Sequence, residues 1–400
     1  MNVIERFLKY VSFPTNSDEF CEKCPSTPTQ LELGKYIADE LRALGLCNVE
    51  QDENGYVYAF LPGKGKLAGE PAIGFIAHMD TSPSCRGDNI VTDIIEYKGG
   101  DIHLANGTTV ISVSDFPEIE ALKGEKLIVT DGNTLLGADD KAGVAEIVTL
   151  CEKLISSGVD HRPVAVALTP DEEIGRGADL FRVERFEAKV AYTVDGGNIG
   201  GIEYENFNAA GFCLKVHGVN IHPGSAKNKM KNAVLMANQF ISMLPPAEVP
   251  AHTEKYEGFY HITDIAGDET LCTVRAIIRD HDKEKFEERK KFIAGVCDYL
   301  ETVWGKGTFE YEIHDSYYNM KEMILPHFEL IERAEEAFRS VGVEPFTEPV
   351  RGGTDGSRLS YMGLPCPNLS TGGYNFHSVR EFVPVSSLEK MTAVLEYLTK

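Results

Sequence analysis

The stretch Ala72-Ile73-Gly74-Phe75-Ile76-Ala77-His78-Met79-Asp80 runs apolar and then turns abruptly polar. A short continuous apolar run of this kind reads as a strand buried on both faces, and here it ends in an imidazole and an acid. The same design recurs downstream. Leu127-Ile128-Val129-Thr130 precedes Asp139-Asp140 across a glycine-containing turn, and Val164-Ala165-Val166-Ala167-Leu168-Thr169 precedes Glu172-Glu173. Val190-Ala191-Tyr192-Thr193-Val194 precedes Asp195-Gly196-Gly197, and His377 adds a fifth polar position. Parallel strands deliver their carboxyl ends to one rim, so the spacing predicts one site built from two imidazoles and several carboxylates. With no cysteine in the set, these donors suit a pair of divalent cations, Zn2+ first and Co2+ or Mn2+ as substitutes. Such a pair points to two-metal hydrolysis.

Outward from that rim, helical and strand patterns alternate. Ile4, Phe7, Leu8 and Val11 fall on one helical face, Thr29-x-x-Glu32 opens a second helix with Leu33, Ile37, Leu41 and Leu44, and Lys141 to Ile155 reads as a buried helix. An α/β layer structure follows, with a central mixed sheet and helices on both faces. Between residues 209 and 318 the order becomes strand 209–217, helix 228–243, strands 258–265 and 270–279, helix 282–302 and strand 308–316. This is the ferredoxin-like split unit. Because the α/β pattern resumes at Met323, the expected organisation is a discontinuous main domain, 1–207 and 319–400, with an inserted lid, 208–318. Hinges are expected near Phe207-Asn208 and Tyr318-Asn319.

Individual clusters divide the work. His78 and Asp80 lie two apart on an extended segment and so share a side; a metal-bound imidazole commonly gives its second N–H to a nearby acid, and Asp80 is placed to serve His78 or another ligand. Asp139 and Asp140 stand just before a helix, where an N-cap is the ordinary role of one acid. Asp139 is read as that cap and Asp140 as the carboxylate bridging both ions. In Glu172-Glu173, one carboxylate is expected to hold a metal while its neighbour handles the proton of an attacking water.

Composition bounds the rest. Lys and Arg number 39 against 62 Asp and Glu, a net charge of −23. That excludes nucleic acid and anionic membranes as partners, since both need a clustered basic face. No run approaches the roughly 20 apolar residues that span a bilayer, and the amino-terminal residues read as an amphipathic helix instead of a signal peptide. Nine cysteines scattered over 400 residues suit free thiols, so a cytoplasmic location is expected. Cys21-x-x-Cys24 has no second pair and is read as a loop. Gly63-Lys64-Gly65-Lys66-Leu67-Ala68 fits G-x-G-x-x-A, yet a strand and no helix follows it, so it is read as a hairpin turn and not a nucleotide site.

Taken together, Ile76-Ala77-His78-Met79-Asp80-Thr81, Gly137-Ala138-Asp139-Asp140-Lys141-Ala142-Gly143 and Thr169-Pro170-Asp171-Glu172-Glu173-Ile174-Gly175 resemble the motifs of the co-catalytic zinc exopeptidases. So do Asp195-Gly196-Gly197 and Arg351-Gly352-Gly353-Thr354-Asp355-Gly356. That family includes aminoacylases, desuccinylases and dipeptidases. Asn206-Phe207-Asn208-Ala209-Ala210 and Ile221-His222-Pro223-Gly224-Ser225-Ala226-Lys227 are similar to its tripeptide-aminopeptidase branch.

The resemblance implies two Zn2+ ions, one held by His78 and Asp195 and the other by Glu173 and His377, with Asp140 between them. Glu172 is implied as general base and Asp80 as its supporting acid. A cis peptide between Asp140 and Lys141 is implied too. The substrate is expected to be a short peptide that loses its amino-terminal residue; a dipeptidase or N-acyl-amino-acid deacylase of the same family is the alternative. His222 is similar to a family histidine that reaches over the active site. Arg279 and Arg351 are the two candidates to grip the peptide's terminal carboxylate, which a guanidinium fork fits.

Overall fold

The computed structural model describes all residues, Met1–Lys400. Contacts divide the chain into a larger unit, Met1–Tyr204 with Glu322–Glu348 and Thr354–Lys400, and a smaller one, Glu205–Lys321 with Pro349–Gly353. No helix is long and apolar enough to cross a membrane.

The larger unit is organised by an eight-stranded mixed sheet. Its centre is four parallel strands in the order Val164–Thr169, Ile73–His78, Ala191–Gly196 and Asn368–Ser370. Antiparallel neighbours flank them, Val57–Leu61 on one side and Gly201–Glu203 on the other. Strands Ile73–His78 and Val164–Thr169 are buried at every residue, which is why they read as unbroken apolar runs and not as alternating ones. Helix Ala138–Ser157 packs across the sheet so closely that a Cβ on Gly143 would stand 2.0 Å from the Val194 carbonyl oxygen. Helices Val3–Val11 and Val385–Leu398 pack against it. Elsewhere in the unit Ile76, Ala165 and Ala167 share a core with Phe181, Phe186 and Leu359.

Three local expectations change. Strand Lys126–Thr130 is not in the central sheet: it is the middle of a separate three-stranded antiparallel sheet, between Phe382–Pro384 and Thr92–Glu96. Strands Val57–Leu61 and Ile73–His78 do not form a hairpin, because Val164–Thr169 lies between them, and the connection carries a short turn at Gly65–Leu67. Helix Thr29–Leu44 begins at Thr29 itself after Pro28, with no side chain capping it.

The smaller unit is a four-stranded antiparallel sheet with two helices. Its elements run Asn208–His217, Ala233–Ser242, Phe259–Gly267, Leu271–Asp280, Lys283–Trp304 and Phe309–Tyr317, the split β-α-β-β-α-β order. The sheet places the first strand between the third and the fourth. Phe212, Leu214, Met236, Phe240, Val274, Ile278, Phe286 and Leu300 form its core.

The positions expected as hinges are pinned. Buried Asn208 Oδ1 accepts from Asn319 N–H at 3.0 Å, while the Asn208 amide donates to the carbonyls of Asp280 and His281. Asn206 Oδ1 accepts from Met320 N–H at 2.7 Å. The segment at Val350 travels with these strands through Phe207 N–H to Val350 O and Val350 N–H to Glu205 O. A buried amide network of this kind is costly to break, and it holds residues 207–208 and 318–319 within the smaller unit.

Candidate dimetal centre

Strand register brings the first ligands together. His78, the last residue of its strand, pairs with Thr169, and Glu172 and Glu173 follow Thr169 in the short turn Glu172–Ile174. Asp171, which precedes them, holds a left-handed φ of 57° and is fixed by Ser26 and Gln30: the Ser26 amide donates at 2.7 Å and the Gln30 side-chain amide at 2.8 Å. Asp80 orients both sides of the site. Its Oδ1 accepts from Glu172 N–H at 3.0 Å and its Oδ2 from Glu173 N–H at 3.1 Å, while His78 Nδ1 lies 3.0 Å from the Asp80 carbonyl. His78 is thereby turned so that Nε2 meets Asp139 Oδ1 at 2.9 Å and Asp195 Oδ1 at 3.4 Å. His377 Nε2 lies 2.8 Å from Glu173 Oε2 and 3.1 Å from Asp139 Oδ2.

The structure gives the two adjacent aspartates different partners. Asp139 and Asp140 both have non-helical backbone angles, so the regular helix starts after Asp140. Asp140 then behaves as a cap: its Oδ1 accepts from Gly143 N–H at 3.2 Å and its Oδ2 from His78 N–H at 3.0 Å. Its oxygens serve the backbone. The carboxylate that reaches both imidazoles is that of Asp139. The cis peptide falls between Asp139 and Asp140, one bond earlier than expected. Spacing carried the signal: a cap accepts from the N–H three residues on, which from Gly143 points back to Asp140.

Burial dominates the electrostatics. It drives the Glu172 carboxyl well above its ordinary range, with Asp195 adding to the effect. Burial and the Asp139 charge bring Glu173 to about 7, and burial brings Asp195 to about 6. Asp355, buried and accepting from Thr169 Oγ1 at 2.7 Å, is pushed by burial to about 7. Hydrogen bonds to Asp139 and Glu173 raise His377 to about 10. Burial works against charge on His78, yet Asp195 and Asp139 lift it above the usual imidazole range. For Asp139, burial is outweighed by its bonds to His377 and His78, which hold it below the carboxylate range.

These residues fit divalent cations. The carboxyl groups of Asp80, Asp139, Asp140, Glu172, Glu173, Asp195 and Asp355, all buried or partly buried, outnumber the two imidazoles, an arrangement that calls for added positive charge. Glu173 Oε1 is buried without a hydrogen-bond partner. Ligand atoms of His78, Asp140 and Asp195, and separately of His78, Asp139 and Glu173, lie within 4.8 Å of one another. That is close to the span around a cation with ligands at about 2.0–2.2 Å.

The remaining candidates lie in the smaller unit. His222 is exposed on a turn, where its Nδ1 accepts from Gly224 N–H at 3.1 Å. Arg279 sits on strand Leu271–Asp280 with Nη1 3.0 Å from the Ile278 carbonyl and its guanidinium over the Tyr317 ring. Arg351 is spent on structure: Nη1 donates to the carbonyls of Lys255 and Glu257, Nη2 to the carbonyl and hydroxyl of Thr253, and the group stacks between Phe207 and Phe259. Cys21 and Cys24 are free thiols; Cys24 Sγ lies 3.5 Å from the Asn54 carbonyl, and burial pushes it up to about 12.

Residues 127–400 match the peptidase family M20/M25/M40. A curated relative named Peptidase T, from Halothermothrix orenii, is 52% identical over 396 residues, covering 98% of this chain and 97% of its own length. The chain belongs to the M20 peptidase family. A second Peptidase T, from Photobacterium profundum, is 48% identical over 401 residues and covers 100% of this chain and 98% of its own. Among solved structures, the aminopeptidase PepT of Bacillus cereus superposes with a TM-score of 0.79 at 22% identity, covering 100% of this chain and 97% of that one. A Bacillus subtilis protein described as a dinuclear metal binding peptidase from this family gives 0.65 at 15% identity, covering 99% and 96%. At such identities the two structures speak for the fold, which this chain shares.

Proposed function

We propose that this chain is a two-metal aminopeptidase that releases the amino-terminal residue from tripeptides. The single observation that carries the metal reading is the Asp139 carboxylate, whose two oxygens reach His78 and His377 at 2.9 and 3.1 Å. The substrate reading is supported by relatives named Peptidase T at about half identity over nearly the whole chain. In this reading His78 and Asp195 would hold one ion, Glu173 and His377 the other, and Asp139, in place of Asp140, would be the shared ligand. Zinc is the resident metal by donor chemistry, with Mn2+ and Co2+ as substitutes.

A bound pair of divalent cations supplies Lewis acidity, which polarises the scissile carbonyl and brings the pKa of a water near neutrality. The protein's own groups do the rest. Glu172 takes a proton from the attacking water and returns it to the departing amine as the C–N bond breaks, a role for which a carboxyl with a raised pKa is suited. Asp80 fixes the backbone under Glu172 and Glu173 and the tilt of His78. His222 is our candidate donor to the developing oxyanion. Arg279 is our candidate for the terminal carboxylate, since Arg351 has its Nη hydrogens committed.

The nine unpaired cysteines support a reducing compartment, so we assign the enzyme to the cytoplasm and to the breakdown of short peptides. A panel of di-, tri-, tetra- and N-acetylated peptides tests the reading. The expected order places free-amine tripeptides first by kcat/KM. Preference for a dipeptide or an N-acetylated substrate overturns it in favour of a dipeptidase or a deacylase.

A further inference from the structure

Four consecutive backbone N–H groups converge on one buried carboxylate that no ligand set includes. Glu381 Oε2 accepts from Leu136 at 2.7 Å and Gly137 at 3.0 Å, and Oε1 from Ala138 at 2.6 Å and Asp139 at 3.2 Å. Its side chain is 1% exposed. The loop that supplies Glu381 is closed at its base, where Tyr374 and Phe382 exchange two backbone hydrogen bonds and stack their rings 4.8 Å apart. Within this loop His377 adopts a left-handed φ of 60°. One short loop therefore reaches Asp139 twice: the His377 imidazole meets its carboxylate, and the Glu381 carboxylate meets its backbone N–H.

We propose that Glu381 is a positioning residue for the metal centre, whose carboxylate fixes residues 136–139 so that the Asp139 side chain faces both ions. The inference rests on the reading of Asp139 as the shared ligand. The negative charge is part of the device. Four N–H dipoles aim at the two oxygens, and a carboxylate offers enough lone pairs to accept all of them, whereas an amide would point its own N–H2 donor at two of them. Ligand-orienting groups of this kind change metal affinity typically by 10–100-fold.

The test loads metal-free protein with Co2+ and records affinity and the visible d–d spectrum for wild type, Glu381→Gln, Glu381→Asp and Asp139→Ala. Leu154→Ala serves as a control: this buried residue lies near the far end of the same helix and its loss lowers stability without touching the loop. Glu381→Gln is expected to bind Co2+ about 10–100-fold more weakly with an altered spectrum. Glu381→Asp, which keeps the charge but shortens the reach, is expected to do the same to a smaller degree and carries the test if the glutamine variant fails to fold. Leu154→Ala is expected to lower the melting temperature with affinity and spectrum unchanged. If Asp139→Ala keeps both metals at wild-type affinity, the shared-ligand reading falls. If Asp139→Ala loses metal while the folded Glu381 variants bind and absorb as wild type, or if Leu154→Ala weakens binding as much as they do, the positioning role is overturned.

Discussion

The carboxyl rim of the central sheet and the candidate recognition groups of the smaller unit differ in how firmly their side chains are held. On the rim, Asp80, Asp139 and Asp140 each have backbone or imidazole partners at 2.9–3.2 Å, and the His78 ring and the backbone of Glu172 and Glu173 are fixed through them. In the smaller unit His222 is exposed on a turn with one local bond from Gly224 N–H, and Arg279 lies over an aromatic ring with Nη1 on the carbonyl of its neighbour Ile278, so neither belongs to a network of side chains. The rim is a preorganised site, which is what charge stabilisation in a transition state requires. Recognition groups need no such rigidity until substrate arrives. The contrast predicts that changes on the rim cost far more than changes in the smaller unit, and each of the following experiments can break that ordering.

The largest effect is expected from removing the cations. Chelation should abolish peptide hydrolysis, and two equivalents of Zn2+ per chain should restore it; full activity after exhaustive chelation, verified by elemental analysis, would contradict the reading. Next comes Glu172→Gln, which should keep both metals and lose kcat by roughly 10²–10⁴, the usual worth of positioned acid–base catalysis. Near-normal turnover of a metal-loaded variant would remove Glu172 from the mechanism.

Amidating the carboxyl terminus of a tripeptide should lower the wild-type kcat/KM about ten- to a hundredfold, corresponding to about 1.5–3 kcal/mol for one charge-assisted hydrogen bond. Arg279→Ala should be nearly indifferent to amidation. Arg351→Ala should retain the full amidation penalty and melt at a lower temperature, because its guanidinium ties the turn at residues 253–257. The reverse pattern would exchange the two arginines.

The smallest effect concerns Glu146, a buried carboxyl on the Asp140 helix with neither oxygen hydrogen-bonded, whose pKa is raised by burial. The native state therefore binds a proton more tightly than the unfolded chain, whose carboxyl titrates near 4.3. Stability contributed by the protonated form is complete below that value and is lost as pH rises through the native pKa. Glu146→Gln should accordingly raise the melting temperature at pH 8, with the gain shrinking toward pH 4. A gain independent of pH would show that packing, and not charge, is responsible.

Much of this was legible in the sequence, for a physical reason. Strands buried on both faces leave unbroken apolar runs, so Ile73–His78 and Val164–Thr169 are legible, and with them the positions of His78, Glu172 and Glu173 at or just beyond the strand ends. The smaller unit's alternation of patterns was equally readable, its elements falling within two residues of expectation except for helix Ala233–Ser242, which starts five residues later than expected because Asn232 caps it. What was not legible depended on backbone conformation. Which of Asp139 and Asp140 faces the two imidazoles turns on two non-helical residues at a helix start, and the Glu381 carboxylate accepts from main-chain donors 242 to 245 positions away. Side-chain identity carries neither fact. Strand Lys126–Thr130 looked like its neighbours because an apolar run does not say which sheet it joins.

Metal content distinguishes most directly which aspartate is shared. Asp139→Asn and Asp140→Asn, purified and dialysed in parallel against buffered zinc, should differ in metal content measured by inductively coupled plasma mass spectrometry. Asp139→Asn should fall clearly below two zinc ions per folded chain, while Asp140→Asn, where folded, should retain both. Two ions bound to Asp139→Asn, with loss confined to Asp140→Asn, would contradict the geometry described and return the shared position to Asp140.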